Sequence, residues 1–247
     1  MLISLILSGG TGNRVGGDVP KQYLNVAGRE IISYSIETLS ASDDVDMLWI
    51  VADDKWKSEV TQIANRYDIK AKLKGISKPG ATRQLSIYQG IKDIELYLDK
   101  EGINKSDTFV LVHDAARPNL TAEEITEYIV ALDDHDGVLP VLPMKDTVYL
   151  SQDGKTVTGL LNRSQIYAGQ APEIFALDKY IKSNEKLIIF DKDGNIDKAS
   201  KIYEINGSTE VAVLAGMDIA MVPGSESNFK ITTQKDLESF RAIKEKA

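Results

Sequence analysis

The chain has 247 residues, of which 43 % are hydrophobic, with no cysteine and a formal net charge of −8. That length and apolar content suit a single α/β domain over residues 1–247 with a sizeable core, and the missing thiols exclude disulfides, zinc–thiolate sites and cysteine nucleophiles. The negative balance argues against a sequence-independent nucleic-acid binder, and no apolar run reaches the length of a membrane span.

Leu2–Leu7 is a short apolar run closed by glycine, as a buried parallel strand should be. No basic residues precede it, so it reads as a strand rather than a signal peptide, and a cytoplasmic protein is expected. A helical pattern covers Ile31–Leu39, a second buried strand Met47–Ala52, and a helix Lys55–Arg66. Lys70–Lys74 is read as a third strand, followed by a helix over Ala81–Leu98 and a strand over Thr108–His113. Thr121 and Glu124 form a capping-box pattern for a helix to about Leu132. Gly137–Val141 is another strand. This alternation predicts a mostly parallel sheet with helices on both faces. The rhythm then changes. Residues 146–163 hold two β-rich arms around Asp153-Gly154, a hairpin dipeptide, which is either an edge hairpin or a projecting arm that buries its apolar side chains on a partner subunit. Ile219–Val222 and Thr233–Ile243 supply a last strand and a closing helix.

An acidic protein that binds anions must gather its positive groups locally, so the positions of single Arg and Lys residues carry information. The stretch SGGTGNRVGGDVPKQ (8–22) follows the first strand. It fails the dinucleotide fingerprint, because Val15 stands where a third glycine belongs, and it fails the P-loop, because Lys21 follows a proline and precedes Gln22. It can still place backbone N–H groups against phosphate oxygens at the end of a strand, with Arg14 and Lys21 adding charge. VHDAARP (112–118) sets Asp114 and Arg117 just past a strand, where an acid can hold a metal ion and an arginine a phosphate; a capping aspartate with a solvated arginine is the plain alternative. Arg83 and Ser86 lie on the first turns of a helix, an anion-attracting position. PMKDT (143–147) ends a strand with Lys145 and Asp146, and NFKITT (228–233) offers Lys230 in a strand-like context. DKDGNID (191–197) has its glycine at the wrong position for a calcium loop and is read as a turn. Two separate histidines exclude a histidine-rich metal site.

Arg, Lys and Asp without a Ser–His or Cys–His pair suit phosphoryl or nucleotidyl transfer, where positioning and electrostatic stabilisation carry the catalysis. An attacking phosphate monoester is already anionic near neutrality and needs no general base.

Taken in order, LSGGTGNRVGGDVPKQYL, RQLS, VHDAARP, KDT, NR…GQAPEIF and NFKITTQKDL resemble the CDP-polyol-forming cytidylyltransferases, which include the methylerythritol 4-phosphate and ribitol 5-phosphate enzymes. The resemblance covers nearly the whole chain. It implies a Rossmann-like nucleotidyltransferase domain whose β-arm, about 146–163, swaps across a homodimer. It implies CTP and a polyol phosphate as substrates and Mg²⁺ as cofactor. Arg14, Lys21 and Lys230 would stabilise the reacting phosphates. Ser8, Gly9, Gly10, Thr11, Gly12 and Asn13 would cradle the nucleotide, with Gly80 and Ala115 near it and Arg83 and Ser86 at the cytidine pocket. Asp114 would bind the metal. Arg117 and Asp146 would face the polyol, and Arg163 would reach the acceptor phosphate of the other subunit.

Three departures from the family pattern fall near the acceptor side or the outer pocket. Pro79-Gly80 stands for Gly-Gly, Ala171-Pro172-Glu173 for Thr-Pro-Gln, and Ser208-Thr209-Glu210 is only a shifted counterpart of Thr-Asp-Glu. D-ribitol 5-phosphate, feeding a wall or capsule polymer, is the expected acceptor; methylerythritol 4-phosphate and a glycerol phosphate are the alternatives. Two other classes remain open. The displaced third glycine argues against a nicotinamide-dependent oxidoreductase, and the cations with Asp114 argue against a silent binding domain.

Overall fold

A computed structural model describes residues 1–10 and 19–245. In chain order the elements are β1 (Leu2–Leu7), β2 (Asn25–Val26), β3 (Arg29–Glu30), α1 (Ile31–Ala41), β4 (Met47–Val51), α2 (Lys57–Tyr67), β5 (Leu73–Ser77), α3 (Arg83–Glu101), β6 (Phe109–Asp114), α4 (Ala122–Val130), β7 (Gly137–Pro143), β8 (Tyr149–Leu150), β9 (Gly159–Leu160), β10 (Tyr167–Gly169), β11 (Glu173–Ala176), α5 (Leu177–Glu185), α6 (Ser208–Leu214), β12 (Ile219–Pro223) and α7 (Gln234–Lys244). The main sheet runs β5-β4-β1-β6-β11-β7, with β12 on the far edge of β7. β5, β4, β1 and β6 are parallel, and β11 enters antiparallel between β6 and β7. On that same edge of β7 lies β10, joined to β11 through Ala171-Pro172, a cis peptide. The Rossmann-like expectation holds.

The strand runs are apolar because both faces are covered. Leu2 and Ile6 pack with α1, α2 and α4, while Ile3 and Leu5 pack with α3, α5 and α6. This alternation is the period-two geometry of a strand buried on both sides. A third cluster seats α7: Leu237 and Phe240 meet Val26, Ile31 and Ile231.

Four local expectations are corrected. The third strand begins at Leu73 rather than Lys70, because the Asp68 carboxylate accepts from the amides of Lys72 and Leu73 and holds a turn there. The turn around Asp153-Gly154 is wider than two residues: the Asp153 carboxylate accepts from the amides of Lys155 and Thr156, and only Tyr149–Leu150 pair with Gly159–Leu160. Lys230 lies in no strand; its segment is tied down by the Ile231 amide donating to Ala116 O (2.8 Å). The segment 164–218, for which the pattern predicts only a turn, supplies β10, β11, α5 and α6.

Candidate active site

From β1 the chain steps outward through α1 and α2 to β5, then returns by α3 on the other face to β6, on the opposite side of β1. Successive helices part at the β1–β6 junction, the point where open α/β sheets bind ligands. A cleft of about 600 Å³ opens there, at the C-terminal ends of both strands. Of the residues anticipated from sequence, it gathers Ser8, Gly9, Gly10, Lys21, Gly80, Arg83, Ser86, Asp114, Ala115 and Lys230. Thr11, Gly12, Asn13 and Arg14 lie outside the described residues.

The floor is built from the residues around the glycine loop. Gln22, unremarked in the sequence beyond its place after Lys21, donates from Nε2 to Ser8 O (2.6 Å) and Gly10 O (2.8 Å) and so pins the loop's first turn. The Ser8 hydroxyl donates to Val51 O (2.8 Å), so this side chain anchors the loop to β4. Tyr23 reaches Ser8 and stacks on Trp56 beneath it. Gly9 must be glycine, since a Cβ there would sit 2.5 Å from the Pro79 Cβ. Pro79 therefore closes tightly on the glycine loop.

The first turn of α3 makes a second wall. Thr82 caps it, accepting from the Leu85 amide. The Ser86 hydroxyl donates to Thr82 O (2.8 Å), and its oxygen lies 3.0 Å from the Gly80 amide. Ser86 thus lines the cleft while holding the Gly80 turn against the helix, and a Cβ at Gly80 would collide with Leu85.

Charge concentrates at the end of β6. Asp114 is buried, with Lys230 Nζ 2.8 Å from Oδ2, Arg83 Nε 3.2 Å from Oδ1 and Arg117 Nε 3.7 Å from Oδ2. Burial alone would raise the Asp114 pKa, but these cations outweigh it and hold the carboxyl well below its usual range. Arg117 also donates to Asn228 O (2.7 Å), and Asn228 donates to Ala171 O (3.0 Å). Those bonds bring Lys230 to the cleft. Glu173 and Ser208 lie behind Arg83. Arg83 Nη1 donates to Ser208 Oγ (2.9 Å), Ser208 Oγ donates to Glu173 Oε1, and Arg83 Nη2 is 3.7 Å from Glu173 Oε2. Burial pushes the Glu173 pKa up, against the pull of Arg83 and Ser208.

Asp146 and Arg163 stand apart from this cluster within one chain. Both are exposed at the base of the arm, where Arg163 Nη1 donates to Lys145 O (2.8 Å) and Lys145 pairs with Glu226.

The sequence matches the IspD family, 2-C-methyl-D-erythritol 4-phosphate cytidylyltransferase, over residues 2–246. The chain belongs to this cytidylyltransferase family. Among curated relatives of this nucleotidyltransferase family member is the ribitol-5-phosphate cytidylyltransferase of Lactiplantibacillus plantarum, 32 % identical with 100 % of this chain and 99 % of that protein covered. A ribitol-5-phosphate cytidylyltransferase of Streptococcus pneumoniae is 30 % identical with 100 % of both covered. The bifunctional enzyme IspD/IspF of Paramagnetospirillum magneticum is 32 % identical over 98 % of this chain, which spans 56 % of that protein. The fold agrees with the 4-diphosphocytidyl-2C-methyl-D-erythritol synthase of Anaerococcus prevotii, with a TM-score of 0.76, 23 % identity and 98 % and 95 % of the two chains covered.

Proposed function

We propose that the protein transfers the cytidylyl group of CTP to a polyol phosphate, D-ribitol 5-phosphate, releasing pyrophosphate and a CDP-polyol for a wall or capsule polymer. The observation that carries this reading is the set of cations gathered on Asp114 beside a glycine loop. An oxygen of the acceptor phosphate attacks the α-phosphorus of CTP, the bond from that phosphorus to the bridging α–β oxygen breaks, and pyrophosphate leaves. The acceptor is already anionic, so no general base is required. The main barrier is the approach of two anions, which Lys21 and Lys230 in the cleft, with Arg14 on the loop, would lower. Arg83 and Ser86 would flank the nucleotide beside Ala115. Arg117 and Asp146, with Arg163 from a second subunit, would orient the polyol phosphate.

Among the described residues no group of three or more His, Asp or Glu could hold a metal ion. A single buried carboxylate suits Mg²⁺, which keeps several waters and takes its remaining ligands from phosphates. Asp114 would hold it, and the ion would neutralise charge on the nucleotide phosphates. The exposed apolar side chains of the arm support a homodimer. No helix among the described residues is long and apolar enough to cross a membrane; we place the enzyme in the cytoplasm, where CTP is supplied.

Full-length similarity to two ribitol-5-phosphate cytidylyltransferases favours ribitol 5-phosphate. The family match favours methylerythritol 4-phosphate as the second reading. The test is pyrophosphate release with CTP, Mg²⁺ and a panel of ribitol, methylerythritol, xylitol and glycerol phosphates. Ribitol 5-phosphate should give a kcat/KM at least about tenfold above the others, equivalent to about 1.4 kcal/mol. Preference for methylerythritol 4-phosphate moves the assignment to the second reading, and release with none of the four overturns both.

A further inference from the structure

Glu173 is a buried carboxylate that the proposed reaction does not use. It stands at the head of β11, one layer behind the cleft, and reaches Arg83 in two ways: directly, at 3.7 Å, and through Ser208. The chemistry of the three groups fixes the direction of the bonds. Arginine has donors and no acceptor, so Ser208 Oγ must accept from Arg83 Nη1. The single Ser208 hydroxyl hydrogen then needs an acceptor elsewhere, and Glu173 Oε1 is there to take it. Without that acceptor the hydroxyl is free to rotate, and nothing keeps its lone pair turned to Arg83. The Ser208 carbonyl is held as well, by the Tyr180 hydroxyl at 3.0 Å, so the serine cannot drift with the start of α6.

We infer that Glu173 and Ser208 form a positioning relay that holds Arg83 against the cleft while anionic phosphates compete with Asp114 for its charge. Arg83 has two anchors, Asp114 at Nε and Ser208 at Nη1. Phosphates entering the cleft compete for the first. The second lies on the side away from Asp114 and keeps the guanidinium plane fixed. A glutamine side-chain carbonyl could accept the same hydrogen, so the relay depends on an acceptor at this position rather than on a charge.

This inference rests on the nucleotide-binding reading of the cleft, and the experiment separates the two. Glu173→Ala, Glu173→Gln and Ser208→Ala are compared with the wild type in two measurements: CTP binding by titration calorimetry without acceptor, and turnover with the acceptor chosen by the panel. Misplacing a positioned group costs up to about a hundredfold. Glu173→Ala and Ser208→Ala should each weaken CTP binding and lower kcat/KM for CTP by at least about tenfold, while KM for the acceptor moves less than about threefold. Glu173→Gln should recover most of the loss. In an Arg83→Ala background the Glu173→Ala effect on CTP binding should vanish, because the relay acts only through Arg83. Should Glu173→Ala fail to fold, Ser208→Ala and Glu173→Gln carry the comparison. Equal damage from Glu173→Gln and Glu173→Ala, unchanged CTP binding in Ser208→Ala, or an effect that persists without Arg83 would each overturn the relay. Wild-type CTP binding without pyrophosphate release from any acceptor would instead overturn the transferase reading and leave the relay testable by binding.

Discussion

Asp114 compensates three cations, and its neighbour His113 shows the opposite adaptation to burial. His113 is fully enclosed, with Nε2 3.1 Å from the Ser35 hydroxyl of α1. Burial disfavours its charged form and lowers its pKa to about 4, even with Asp114 adjacent. Between that value and the ordinary 6.5, the unfolded chain binds a proton that the folded chain does not. Stability is therefore fully present above about pH 6.5 and is lost as pH falls toward 4, by an amount on the order of 3 kcal/mol. Urea midpoints between pH 7.5 and 4.5 should fall steeply in the wild type and much less in His113→Gln, whose amide does not titrate. Parallel slopes in the two proteins would show that His113 is not the group responsible.

α3 shows how one element joins stability to the site. Its N-cap Thr82 stands directly before Arg83, and its first turn is braced by Ser86. Thr82→Ala removes the acceptor for the Leu85 amide and should cost about 1 kcal/mol. Equilibrium urea unfolding checks the figure; no loss would mean that the Ser86 bonds alone hold the turn. The apolar runs of β1, β4, β6 and β7 are legible in the sequence because burial on both faces leaves them few polar positions, Ser4, His113 and Asp114 being the exceptions. The β11 strand is not. It is four residues long and opens with Glu173, and its place in the sheet is set by antiparallel pairing with β6 and β7, far away in the chain. The same distance separates what was legible in the site. Asp114, Arg83 and Lys230 sit in compact motifs, and each reaches the cleft. Gln22 and the role of Ser208 become visible only when loops from separate segments meet.

At the level of the whole molecule, the arm is unfinished in one chain. Leu160 is 64 % and Tyr149 59 % exposed, and Leu150 and Val157 lie open beside them. An uncovered apolar surface of this kind fits a second copy of the chain. Leu150→Ser combined with Leu160→Ser should leave the circular dichroism unchanged and convert a dimer to a monomer in sedimentation velocity at micromolar concentration. A monomeric wild type would remove the arm's assigned role. The cleft has a counterpart to this in time. Its cations come from widely separated stretches, and Lys230 reaches Asp114 from a segment held by the contacts of Asn228 and Ile231 with the loop after β6. A ribosome releases the glycine loop, Arg83 and Asp114 long before that closing stretch. The nascent chain can therefore lay down its parallel strands while the site still lacks one of its charges. Chemical competence would come after the parallel frame that carries it.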